Sequence, residues 1–157
     1  MRVLIATDGS PCSEAAIKEI SLRPWPENSE FRIISAFRIP LNPAPEAWAL
    51  QPECYAEIER AERDEAQKAV TVACAELRKA KGVSSDVSGQ VLPGSPHPVI
   101  LDEAESWKAD LIVLGSHGYG TWHRLILGSV SQAVVLHAKC SVEVVRSCDK
   151  SMKVKAA

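Results

Sequence analysis

The sequence predicts an α/β domain whose parallel sheet is covered by helices on both faces. Two observations lead there. Short apolar runs such as Val3-Leu-Ile5 and Leu111-Ile-Val-Leu114 alternate with longer segments whose apolar residues recur at helical spacing. Turn signals fall between them, and such alternation closes through right-handed crossovers into a parallel sheet. A ligand then belongs at the carboxyl ends of the strands.

Each element has a local reason. Arg2 to Thr7 is a short apolar strand, and Asp8-Gly-Ser-Pro11 is a turn whose serine can cap a helix from Pro11 to about Ser21. Arg23-Pro-Trp-Pro-Glu-Asn28 breaks the chain before a second strand, Glu30 to Phe37. Pro40 to Pro52 holds four prolines and reads as an irregular surface crossing, with Pro45, Trp48 and Leu50 available to cover what lies beneath. From Glu53 to about Lys81 there is neither proline nor glycine, and Ile58, Ala61, Ala66, Ala69, Val70, Ala73, Cys74 and Leu77 form an amphipathic stripe. Val83 to Leu92 alternates as a third strand and ends in Pro93-Gly94; Pro96 to Trp107 is a third helix. Leu111 to Leu114 is the fourth strand, Ser129 to Ala138 the fourth helix, and Ser141 to Arg146 the fifth strand. Residues 1–148 therefore read as one domain, and Asp149 to Ala157 as a flexible tail.

A chain of 157 residues, 46% hydrophobic, fits a single core and leaves no room for a second domain. The net charge of −2, from 18 basic and 20 acidic residues, disfavours nucleic acid as a partner. The first residues are strand-like rather than a secretory leader, and no apolar run approaches membrane-spanning length, so a cytoplasmic protein without membrane contact is expected. Five cysteines form no C-x-x-C pair, so reduced thiols are expected rather than a disulfide framework or zinc site. Cys12, in the first turn of a helix, is open to a redox role or to plain packing.

The most informative stretch is Gly115-Ser-His-Gly118, nine residues, then Gly128-Ser129. Glycines at a strand exit and a helix entrance let main-chain amides converge on an anion, and the first amides of the following helix have no intrahelical acceptor. Ser129 can cap that helix or meet a phosphate oxygen, and His117, His123 and Arg124 stand in the same loop. The same glycines also suit an ordinary connection in which they only turn the chain. Neither G-x-x-x-x-G-K-[ST] nor a complete G-x-G-x-x-G is present, because His123 stands where the last glycine would be. Asp8 has two readings, an Asx turn at the strand exit or a ligand of Mg²⁺ shared with phosphate.

Taken together, Gly115-x-x-Gly118-x9-Gly128-Ser129, Val3-Leu-Ile-Ala-Thr-Asp8-Gly-Ser10 and Cys140-Ser-Val-Glu-Val-Val145 resemble the universal stress proteins, in the branch that binds ATP. The resemblance covers nearly the whole chain. It implies strand order 3-2-1-4-5, a Rossmann-like fold of adenine-nucleotide hydrolase type, ATP or another adenine nucleotide with Mg²⁺, and a homodimer. It also implies that Gly115, Gly118, Gly128, Ser129 and Val130 surround the ribose and phosphates, with Thr7, Asp8, Leu114, Ser116 and His117 also in the nucleotide site. Asp8 would act through the divalent cation, and the backbone of Phe37 or Ala36 would meet adenine. Three departures stand out: Ala6 replaces a frequent proline, Ser141 replaces the proline after Cys140, and Tyr119-Gly-Thr-Trp-His123 makes a bulky loop centre.

Three functions are compatible with these residues: a nucleotide-binding regulatory module with at most slow hydrolysis, an ATPase or nucleotidyl-transfer enzyme, and a dimeric interaction protein without nucleotide. No second acid is evident to orient an attacking water, which favours the first. The dimer would form through the last strand, an exposed sheet edge, unless Glu143 and the basic tail guard it. A receiver-like domain would need an acceptor aspartate at the third strand's end, where Val91-Leu-Pro93 supplies none.

Overall fold

A computed structural model describes residues 1–38, 52–80, 83, 86–118 and 127–146. The elements alternate as β1 (Arg2–Ala6), α1 (Pro11–Leu22), β2 (Glu30–Phe37), α2 (Pro52–Leu77), β3 (Val87–Pro93), α3 (Pro96–Ser106), β4 (Leu111–Gly115), α4 (Ser129–His137) and β5 (Ser141–Val145). All strands pair in parallel in the order β3-β2-β1-β4-β5, with β1 between β2 and β4 (Ile5 opposite Ile33 and Val113). The predicted α/β class and strand order are those observed. The Pro40 to Gln51 part of the proline-rich crossing, the loop centre with His123 and Arg124, and the tail lie outside the described residues.

Alternation along the strands sorts the core onto two faces. Val3, Ile5, Phe31, Ile33, Val87 and Val113 pack with Ile17 and Ile20 of α1 and Val70, Cys74 and Leu77 of α2. Leu4, Ile34, Ile112 and Leu114 pack with Ile100 and Ala104 of α3 and Val134 of α4. Fully burying each such Leu or Ile stabilises by about 1.5–3 kcal/mol, so the two faces together clamp the sheet and fix its carboxyl edge.

Some boundaries differ from expectation. β3 starts at Val87 rather than Val83, because pairing with β2 opens with Phe31 N–H donating to the carbonyl of Asp86 at 3.0 Å. Val83 instead donates to Ala80 in a turn and packs on the core from outside the sheet. α2 ends at Leu77, after which Lys79 and Ala80 make tighter i−3 bonds, so the predicted end at Lys81 is too late. The predicted stripe is covered only from Ala66 onward; Ala61 is exposed and Ile58 is 46% exposed.

Glu143, read as a possible guard of the β5 edge, turns instead toward α1. It accepts 2.7 and 2.6 Å hydrogen bonds from both Nη atoms of Arg23, which Glu19 also approaches. This fork fastens the end of α1 to the outermost strand. The paired carboxylates push the Arg23 guanidinium well above its ordinary pKa. Burial raises the thiols of Cys74 and Cys140, and Cys74 is core, as its place on the stripe predicts. No helix among the described residues is long and apolar enough to cross a membrane.

Gly89 of β3 lies against α2, for a Cβ there would stand 2.6 Å from Val70 Cγ1 and 2.8 Å from Cys74 Sγ. Neither atom can retreat from a packed face. Gly89→Ala is therefore expected to cost about 1–3 kcal/mol, seen as a lower urea midpoint at unchanged slope; an unchanged midpoint contradicts this packing. In the native protein Cys74 should resist iodoacetamide at pH 8 and react once urea is added.

Candidate functional site

The carboxyl ends of β1, β2 and β4 open into a cleft of about 490 Å³, closed at its sides by the starts of α3 and α4. Its wall is assembled by three local devices.

The first is the turn after β1. Thr7 is buried; its amide donates to Ile34 O at 2.9 Å and its hydroxyl accepts from Gly9 N at 3.2 Å. Gly9 takes φ +76°, a conformation that favours glycine. Asp8 Oδ1 accepts from Ser10 N at 3.0 Å, which is the Asx turn of the sequence reading. Ser10 then caps α1, accepting from Ser13 N through its side chain and from Glu14 N through its carbonyl. The Asx turn leaves Asp8 Oδ2 facing the cleft, so the turn and a ligand role for Asp8 are compatible.

The second device is Ser116, 2% exposed, with every polar group engaged. Its amide donates to Val145 O (2.8 Å), and its carbonyl accepts from Gly128 N (2.8 Å) and Ser131 Oγ (3.0 Å). Its hydroxyl bridges Cys12 Sγ (3.9 Å) and His117 Nδ1 (3.1 Å). The glycine loop is thereby closed at its base, and the first turn of α4 is anchored to the end of β4. The glycines serve close approach rather than positive φ, which among the described glycines only Gly9 and Gly94 adopt. A Cβ on Gly115 would sit 2.6 Å from the Cys12 carbonyl carbon and 2.7 Å from Ser13 N. A Cβ on Gly118 would sit 2.6 Å from Asp8 Oδ2, and one on Gly128 3.1 Å from Ser116 O.

The third is the start of α4. Gly128 is its N-cap, with no side-chain cap bond, so Ser129 is the first helical residue, and of its two readings the capping one does not hold. The first helical bond runs from Gln132 N to Gly128 O at 2.9 Å. The amides of Ser129, Val130 and Ser131 find no acceptor among the described residues, and no acid stands in this turn. The positive end of the helix therefore opens into the cleft.

Of the predicted residues, Thr7, Asp8, Ala36, Leu114, Gly115, His117, Gly118, Gly128, Ser129 and Val130 all line this cleft. Ser116 does not: it faces inward and acts through its neighbours. Nor does Phe37, which is buried, and whose carbonyl accepts from Gly94 N at 2.8 Å. Alternation gives the cleft side to Ala36. His117 Nε2 is buried and has no hydrogen-bond partner among the described residues. Sequence reasoning missed Arg38 and Glu62 at the rim and Ile100 on the α3 side. Arg38 was within reach of the period-2 count from Ala36; Glu62 had no signal. Among the described residues no group of three or more His, Cys, Asp or Glu gathers to hold a metal, so a cation here would need ligands from a bound molecule.

Comparison with known proteins bears on the whole chain. Residues 1–146 match the sequence profile of the universal stress protein family. A universal stress protein of Methanocaldococcus jannaschii is 34% identical over 159 residues, covering 95% of this chain and 84% of its own. One of Mycobacterium tuberculosis is 28% identical over 152 residues, 91% of this chain; the present chain spans about half, 47%, of that relative's length. Among solved structures, UspA from Lactobacillus plantarum superimposes with a TM-score of 0.75 at 23% identity, over 93% of this chain and 97% of its own. A universal stress family protein from Arabidopsis thaliana with AMP bound gives 0.58 at 19%, over 93% and 91%. The Archaeoglobus fulgidus protein in complex with dAMP gives 0.60 at 20%, over 92% and 97%. These structural likenesses establish the fold, and the match over residues 1–146 establishes more: the chain belongs to the universal stress protein family.

Proposed function

We propose that the cleft binds an adenine nucleotide, ATP with Mg²⁺, and that the chain is a nucleotide-binding regulatory module with at most slow hydrolysis. The observation behind this is the open first turn of α4: three amides without acceptors among the described residues, in a turn free of acids, lining one cleft with Gly118 and Asp8. Polyphosphate suits that turn because amides and helix dipole both favour negative charge. His117 Nε2, buried and without a partner among the described residues, offers one more contact. The apolar side of the cleft, with Ala36, Pro96 and Ile100, suits a flat base. Relatives of the same fold bound to AMP, dAMP and cAMP support an adenine nucleotide.

Asp8 fits the magnesium ion. One carboxylate oxygen is held by the Asx turn and the other is left toward the phosphate side, which matches the preference of Mg²⁺ for few carboxylates plus phosphate oxygens and water. When bound, the ion neutralises phosphate charge that the two rim carboxylates, Asp8 and Glu62, would otherwise repel.

A second reading, slow ATPase or nucleotidyl transfer, draws on Glu62, a second carboxylate in the same cleft. Glu62 is exposed, which leaves it poorly held for orienting water. Pairing of two copies through β5 is part of the proposal. That strand ends the sheet, and Val135 and Leu136 of the adjoining α4 are 45% and 69% exposed.

Freshly purified protein, denatured, is expected to release an adenine nucleotide identifiable by mass, with little phosphate produced on incubation. Saturating ATP should add about 2.7 kcal/mol to stability at a hundredfold excess over Kd. Gly118→Val should abolish that gain, because its side chain drives into Asp8; an equal gain in the variant places the nucleotide elsewhere, and no gain in the wild type points to the nucleotide-free interaction protein. Asp8→Ala should make ATP affinity the same with and without Mg²⁺. Leu136→Glu should shift sedimentation toward the monomer, and a monomeric wild type rejects the β5 pairing.

A further inference from the structure

We propose that Arg38 reads position 6 of the purine, so that the cleft accepts 6-oxopurine nucleotides beside adenine ones. This deepens the nucleotide reading above and rests on it.

The two ends of the cleft differ in chemistry. Open amides and glycines lie where β4 meets α4, whereas Ile34 and Ala36 of β2 face Pro96 and Ile100 of α3 at the other end. β2 stands two places from β4 in the sheet, about 10 Å at ordinary strand spacing. A nucleotide whose phosphates sit at α4 therefore lays its base over β2. The even positions of β2 face α3: Arg32 bonds Glu103, and Ile34 joins the α3–α4 core. Arg38 is next in that row after Ala36, just past the strand, and lines the cleft. It is exposed and has no hydrogen bond or ion pair among the described residues, unlike Arg2, Arg23 and Arg32.

A guanidinium only donates. The 6-oxo group and N7 of hypoxanthine or guanine are two adjacent acceptors that it meets with both arms, whereas adenine presents a 6-amino donor beside a single acceptor at N7. Glu62 supplies the complementary acceptor at the same rim, for the N1–H of an oxopurine or the 6-amino group of adenine. Arg38 thus favours oxygen at position 6, and Glu62 keeps the amino form bound.

The test titrates the full chain with AMP and with inosine monophosphate, which differ at position 6 and in the proton on N1. Wild type should bind the two within about tenfold of one another. Arg38→Ala should weaken inosine monophosphate about tenfold more than AMP. Arg38→Lys, which keeps the charge and loses the fork, should follow the alanine variant. Thermal midpoints of the ligand-free variants confirm folding. AMP binding without inosine monophosphate binding in the wild type, or equal weakening of both by Arg38→Ala, overturns the proposal and leaves the nucleotide reading intact. Binding of neither nucleotide overturns both.

Discussion

The site depends on one buried residue making all the hydrogen bonds its backbone offers. Ser116 ties the end of β4 to β5 through its amide, and to the first turn of α4 through a carbonyl shared by Gly128 and Ser131. Buried peptide groups left unpaired cost free energy on the order of 1–3 kcal/mol each, so this knot has little freedom to loosen. The three glycines follow from it. Gly115 lets the backbone of α1 lie against the strand end, Gly128 lets the α4 cap reach the Ser116 carbonyl, and Gly118 leaves space for the Asp8 carboxylate. Close packing of main chain on main chain is what turns a helix start toward the cleft with its amides free.

The rest of the fold supports that knot from two sides. α1 is held from below by Ile17 and Ile20 on the sheet and at its far end by the Arg23–Glu143 fork. The opposite face has a lighter core, in which α4 contributes chiefly Val134, with Val130 packed at its margin. α4 is therefore positioned more by hydrogen bonds at its first turn than by burial along its length. An anion at that turn would add to the force holding the helix in place, which is a physical basis for a module whose stability reports its ligand.

The order and type of elements were legible because each strand carries an apolar run and each helix a stripe or a cap. Ser10 before Pro11 announced α1, and the alternation of Leu4 and Ile5 announced two covered faces. What escaped was whatever depends on distant partners. Val83 has the pattern of a strand residue, but pairing waits for the register with Phe31. Ile58 continues the stripe of α2, but it stays exposed. The choice between Ala36 and Phe37 required knowing which face bears the cleft. Arg38 and Glu62 belong to no motif and line one cleft only because the fold brings β2 and α2 to it. The motif's glycines serve contact rather than torsion, a distinction that their spacing alone does not make.

The central claim is that peptide nitrogens of the α4 first turn hold the nucleotide's phosphates. Amide proton and nitrogen shifts of the ¹⁵N-labelled chain, followed during titration with magnesium and ATP, test it residue by residue. The amides of Ser129, Val130 and Ser131 should move downfield together and saturate, as donors gaining a charged acceptor do. Saturable binding that leaves these three amides unshifted, while residues elsewhere respond, would contradict the account.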